Sequence, residues 1–168
     1  TTLELGGKSP CIIDADCNLQ DAALKIVHGK LLNAGQTCIA PDYILLPRGK
    51  EAAFTEAYRA AVARLFPYFE GNPDYASIID SRHLARLRTM LQQAQTLGAQ
   101  VEVMTPVPGT PPPPPTSMGD GIARQMPPVL VYGATEDMQL MQEEIFGPIL
   151  PVISYERLDD AIQHINTS

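Results

Sequence analysis

The chain has few cysteines, no CxxC pair and no excess of positive charge, and each absence removes a class of protein. Cys11, Cys17 and Cys38 are its three cysteines. An odd number without paired spacing argues against a disulfide framework and for a reducing, cytoplasmic compartment. Lys and Arg number 12 against 19 Asp and Glu, a net charge of −7. Phosphate backbones select a basic patch, so nucleic acid is excluded as a partner. No polybasic cluster addresses an anionic membrane and no apolar run reaches transmembrane length; the sequence opens on "TTLELGG" without a methionine, so its want of a signal-like start excludes nothing. The spacings of Cys11, Cys17, His28 and Cys38 match no common zinc pattern. "GGKS" (6–9) echoes a phosphate loop but lacks the first glycine, five residues before the second.

What is present is a globular chain. Its 168 residues, 45% of them apolar, suit one domain with a sizeable core. "PCIID" (10–14), "YILLP" (43–47), "QVEVM" (100–104), "PVLVYG" (128–133) and "PILPVISY" (148–155) read as strands, the last interrupted by Pro151. Helical periodicity covers 19–35, with Leu24, Val27 and Leu31 on one face and Gly35 as the stop. It recurs over 50–66 through Phe54, Ala57, Tyr58, Ala61, Val62 and Leu65. A third helix spans 81–97, capped by Asp80 or Ser81, and a last one spans 157–166 with Leu158, Ala161, Ile162 and Ile165 on one side. "GNPDY" (71–75) is a turn. Residues 105–128 are proline-rich, and proline lacks the N–H that a strand or helix interior needs, so an exposed loop of polyproline II character is predicted there. Strands alternating with amphipathic helices give the fold class: α/β, a mostly parallel sheet flanked by helices.

Three stretches carry chemistry. "NAGQTCIAPDY" (33–43) puts Cys38 in a loop between a glycine-led turn and a proline stop. A loop cysteine can simply be packed; as a thiolate it is a nucleophile, and the Gly35-Gln36 turn lets a ligand approach it. "LELGGKSP" (3–10) sets Glu4 among Leu3, Leu5 and two glycines. Lost solvation there lifts a carboxylate toward the range of a general base, the alternative being an exposed acid at a frayed end. "QEEIFGPI" (142–149) sets two acids before Phe146 and a Gly147-Pro148 turn. Such an acid can hold a sugar's hydroxyls while the ring abuts a flat heterocycle, or the stretch is only a helix end.

In this order, "LELGGKSP", "GQTCIAPDYILLP" (35–47) with its thiol 34 positions after the glutamate, and "EEIFGPILPV" (143–152) closely resemble the aldehyde dehydrogenase superfamily over nearly the whole chain. The "CIAPDY" form is similar to the branch containing fatty, aromatic and coniferyl aldehyde dehydrogenases. The resemblance implies that Cys38 is the nucleophile, that its peptide N–H donates to the oxyanion, and that Glu4 activates the hydrolytic water. It also implies that Glu144 binds the nicotinamide ribose and that Phe146 and Leu5 lie at the cofactor. The implied cofactor is NAD or NADP. The implied substrate is a small aldehyde, aromatic such as coniferyl aldehyde or of medium to long chain, and the implied assembly is a homodimer or homotetramer.

No GxGxxG-type loop occurs in the chain, and in this family the cofactor domain precedes the glutamate motif. The expectation is therefore a partial, thiol-bearing catalytic domain over 1–168. Residues 1–10 would form its boundary to an N-terminal NAD(P)-binding domain outside this sequence, and these 168 residues alone would be inactive. Two other readings keep the fold: a noncatalytic scaffold or assembly fragment, and a cofactor-free thiol esterase or acyltransferase using Cys38 and Glu4. His28, His83 and His164 fall in helical stretches, so no base is expected beside the thiol. The leading reading requires Cys38 and Glu4 to face a common cavity.

Overall fold

A computed structural model describes residues 1–2, 6–105, 107–109 and 119–167, with only the backbone described at 119, 120 and 122. In chain order its elements are β1 (Pro10–Ile12), α1 (Leu19–Leu31), β2 (Tyr43–Pro47), α2 (Glu51–Leu65), α3 (Ser81–Thr96), β3 (Gln100–Val103), β4 (Val129–Tyr132), the short α4 (Gln139–Gln142), β5 (Ile149–Tyr155) and α5 (Leu158–Thr167). The strands form one sheet in the order β1-β2-β5-β4-β3. β1, β2, β5 and β4 run parallel, and β3 lies antiparallel on β4. This is the expected α/β class. Helices cover a parallel sheet on its faces, which is why β2, buried at all five positions, reads as an unbroken apolar run.

The helices form where the apolar spacing places them. Asn18 caps α1, its side-chain oxygen accepting the Asp21 N–H at 3.0 Å. Asp80 caps α3 through the His83 N–H at 2.6 Å, and Leu84, Leu87, Met90 and Ala94 are its buried stripe. α2 turns Phe54, Ala57, Tyr58, Ala61 and Val62 inward.

Four details depart from the expectations. The helix predicted over 19–35 stops at Leu31, because Asn33, Ala34 and Gly35 take φ of 52°, 53° and 78°. Asparagine and glycine tolerate this left-handed region; Ala34, wholly buried, is strained in it. β5 is not interrupted: Pro151 stays in register with Val131 and costs the ladder no more than its missing N–H. The proline-rich stretch falls partly outside the described residues, at 106 and 110–118, but its end is tied down. Residues 119–124 form a 3-10 turn, and the buried Met126 carbonyl accepts the Tyr75 hydroxyl at 2.6 Å. Gln125 supplies the donors that proline lacks, reaching the Asn72 and Tyr75 carbonyls at 2.8 and 2.6 Å. Finally, of the apolar side expected on α5 only Ala161 is buried; Leu158 and Ile162 are 43% and 45% exposed. No helix among the described residues is long and apolar enough to cross a membrane.

The topology has one consequence for chemistry. Residues 6–9 lead directly into β1, 38–42 into β2 and 144–148 into β5. These three strands are parallel neighbours, so the segments before them emerge side by side at the amino edge of the sheet.

Candidate active site

The thiol loop is held by its own polar side chains. Asn33 Nδ2 donates to the Gln36 carbonyl at 3.2 Å, and Gln36 Nε2 returns a bond to the Asn33 carbonyl at 2.9 Å. Gln36 also reaches the segment before α3, donating to Ser77 O at 3.1 Å and accepting the Ile79 N–H at 2.9 Å. From this frame Cys38 projects as a free, exposed thiol. Its carbonyl accepts the Ser9 hydroxyl at 3.4 Å, and no hydrogen bond to its peptide N–H occurs among the described residues. Burial pushes the Cys11 thiol up, so Cys11 is the less reactive sulfur on that ground.

The loop from 143 to 148 docks on the thiol loop. Gly35 makes this possible, because a Cβ there would overlap the Gly147 carbonyl. Phe146 is itself left-handed, at φ 52°. α3 clamps it: His83 Nε2 lies 2.8 Å from the Phe146 carbonyl, and Arg86 donates to the Ile145 carbonyl and, at 3.3 Å, to that of Glu144. His83 is thus engaged with backbone rather than poised as a base for the thiol.

Asp42 joins the three segments. It is 3% exposed. Its Oδ1 accepts the Ile145 N–H at 3.0 Å, and its Oδ2 pairs with Lys8 Nζ at 2.5 Å. Lys8 also donates to the Leu140 and Glu143 carbonyls at 2.8 and 3.1 Å, while the Asp42 N–H donates to Ser9 O at 2.8 Å. Glu144 reaches the same junction. Its carboxylate occupies the space that a Cβ on Gly6 would need, so it rests against bare backbone.

The loop that carries Cys38 and the loop that carries Glu144 and Phe146 are therefore docked on each other. Glu4 and Leu5 lie outside the described residues. The cleft of about 630 Å³ lined by Ser81, Leu84, Ala85, Arg88, Thr89, Ala123 and Arg124 does not include Cys38.

The sequence model described as the aldehyde dehydrogenase family matches residues 1–168. The chain belongs to this family. It is 47% identical to the "Probable coniferyl aldehyde dehydrogenase" of Pseudomonas aeruginosa over 165 residues, covering 98% of this chain and 32% of that protein. Among solved structures, the substrate-bound state of Staphylococcus aureus AldH superposes with a TM-score of 0.80 at 36% identity, over 98% of this chain and 33% of the other. The NADP-dependent glyceraldehyde-3-phosphate dehydrogenase from Bacillus halodurans C-125, complexed with NADP, gives 0.77 at 26% identity, over 98% and 32%. The chain spans about a third of the length of the relatives it matches.

Within this aldehyde dehydrogenase chain, sequence reasoning passed over the hydrogen bonds by which Lys8, Gln36, Asp42, His83 and Arg86 join these loops, and the burial of Lys30. Two carried a signal. Asp42 is an acid directly before a wholly apolar strand. Lys30 shares the stripe of Ile26, Val27 and Leu31, where a charge is out of place. His83 and Arg86 carried none, because their partners are carbonyls some 60 positions away.

Proposed function

We propose that the protein carrying this chain is an NAD(P)-dependent aldehyde dehydrogenase that converts an aldehyde to its carboxylic acid through Cys38. The supporting observation is the exposed Cys38 thiol on a hydrogen-bonded loop that docks against the Glu144–Phe146 loop. The chain's residues fit the nicotinamide end of such a cofactor: Glu144 is seated in the space left by Gly6, where a carboxylate can accept ribose hydroxyls, and Phe146 offers a half-buried ring beside it. A bound NAD(P) supplies the hydride acceptor.

In this reading the Cys38 thiolate adds to the aldehyde carbon and forms a C–S bond. The carbonyl oxygen becomes an oxyanion facing the Cys38 N–H, which has no partner among the described residues; one donor of this kind contributes about 10²–10³ in turnover. Loss of hydride from the carbon leaves a thioester on Cys38. Glu4 takes a proton from water, which attacks the thioester, releases the acid and restores the thiol. An apolar, aromatic aldehyde of the coniferyl type suits the mouth of the site. Ile39, next to the thiol, is 82% exposed, and Ile79, tied to the loop by Gln36, is 71% exposed. The name of the Pseudomonas aeruginosa relative points the same way.

The test is NAD(P)H formation from coniferyl aldehyde and from aliphatic aldehydes by the whole protein. Cys38→Ala is expected to remove turnover. Glu4→Gln is expected to keep a first burst of NAD(P)H while slowing later turnovers, and a Glu4→Gln protein turning over like the wild type would end the role given to Glu4. Iodoacetamide separates the enzyme from an inert scaffold. Cys17 and Cys38 are both exposed, so exposure alone predicts equal labelling, whereas an activated site predicts much faster reaction at Cys38.

A further inference from the structure

We propose that Lys8 is a positioning residue: with Asp42 it holds the peptide groups on both sides of Glu144 and so sets that carboxylate against Gly6. An ammonium has three N–H donors, and here each has an acceptor. They are Asp42 Oδ2 at 2.5 Å, the Leu140 carbonyl at 2.8 Å and the Glu143 carbonyl at 3.1 Å. Asp42 turns its other oxygen, Oδ1, to the Ile145 N–H at 3.0 Å. The Glu143 carbonyl and the Ile145 N–H belong to the two peptide groups that flank the Glu144 Cα. One ion pair therefore restrains the backbone of Glu144 from both sides. Asp42 is buried and Lys8 nearly so, and bonds to charged groups in such surroundings are short and strong.

The side chain is set by the same segment. The Glu144 carboxylate lies where a Cβ on Gly6 would stand, and Gly6 is two residues before Lys8. Seat and clamp thus share one short stretch, 6–8, and a shift of that stretch moves both. From α3, Arg86 holds the Glu144 carbonyl at 3.3 Å, so the loop keeps one anchor when Lys8 is lost. The expected effect of losing Lys8 is a loosened Glu144 rather than a missing loop. The consequence for cofactor binding rests on the reading of Glu144 given above; the placement of its backbone does not.

A double-mutant cycle on the whole protein tests this, read as the Kd for NAD(P). Lys8→Met is expected to weaken binding about fivefold or more with Glu144 in place, and by less than about twofold in a Glu144→Ala background, where no carboxylate is left to position. Equal factors in the two backgrounds would overturn the proposal, since a purely structural role weakens both alike. Lys8→Met leaves the Asp42 charge buried alone. Where it does not fold, Lys8→Met combined with Asp42→Asn removes both charges, keeps an acceptor for the Ile145 N–H and enters the same cycle with the same outcomes. Hydrogen exchange at the Ile145 amide reads the placement without cofactor. It is expected to speed up about tenfold or more in Lys8→Met while the amides of β2 and β4 keep their protection. Exchange at the wild-type rate would overturn the placement. A Kd unmoved by Glu144→Ala alone, with faster Ile145 exchange in Lys8→Met, would support Lys8 as the clamp and end the cofactor role given to Glu144.

Discussion

Two glycines at the junction do different work, and substitution separates them. Gly35 combines a positive φ with backbone contact to Gly147, neither of which can yield. Gly35→Ala is expected to cost roughly 3 kcal/mol or more in urea denaturation, or to prevent folding. Gly6 meets only the tip of the Glu144 side chain, which can swing away. Gly6→Ala is therefore expected to change stability by less than about 1 kcal/mol and, on the proposed role of Glu144, to weaken cofactor binding. Lys30 opposes stability. Its pKa falls to about 8 in the folded chain from 10.5, so between those values the unfolded chain holds more protons and stability rises with pH. Below about pH 8 the full penalty applies, roughly 3 kcal/mol at about 1.4 kcal/mol per pH unit. Lys30→Met is expected to be more stable than the wild type by up to that amount at pH 7, with the gap closing toward pH 10. Denaturation curves at the two pH values check this.

Among the elements, α3 is the one that shapes the site from outside it. Its His83 and Arg86 hold three successive carbonyls, those of Glu144, Ile145 and Phe146, in a strained turn. Arg86→Ala removes two charge-assisted bonds and is expected to cost roughly 2–3 kcal/mol. Hydrogen exchange at the Ile145 amide is expected to speed up with it, while the amides of β2 and β4 keep their protection. The strands and helices themselves were legible from local pattern: α2, α3 and β2 formed at the positions their apolar spacing predicted. The end of α1 was not, because Ala34 in a left-handed conformation contradicts its own preference and is imposed by the docking of Gly35 on Gly147. Pro151 misled in the other direction, since a parallel strand locked between two neighbours survives one lost hydrogen bond.

For the molecule as a whole, Asp42 is the point where residues far apart in the chain become one site. It ties the segments before β1, β2 and β5 through Ser9, Lys8 and Ile145. Asp42→Asn leaves Lys8 without its counter-charge and is expected to cost about 2–4 kcal/mol, with Cys38 labelling and urea unfolding no longer following one transition. The three motifs, the thiol, the acid-aromatic loop and the α/β alternation could all be read from the residues, because nucleophiles, turns and apolar periodicity are local properties. Their convergence was decided by strand order. β5 inserts between β2 and β4, which sets its amino end beside that of β2 although more than a hundred residues separate them, and the Lys8–Asp42 pair at that edge acquires meaning only once the fold buries Asp42.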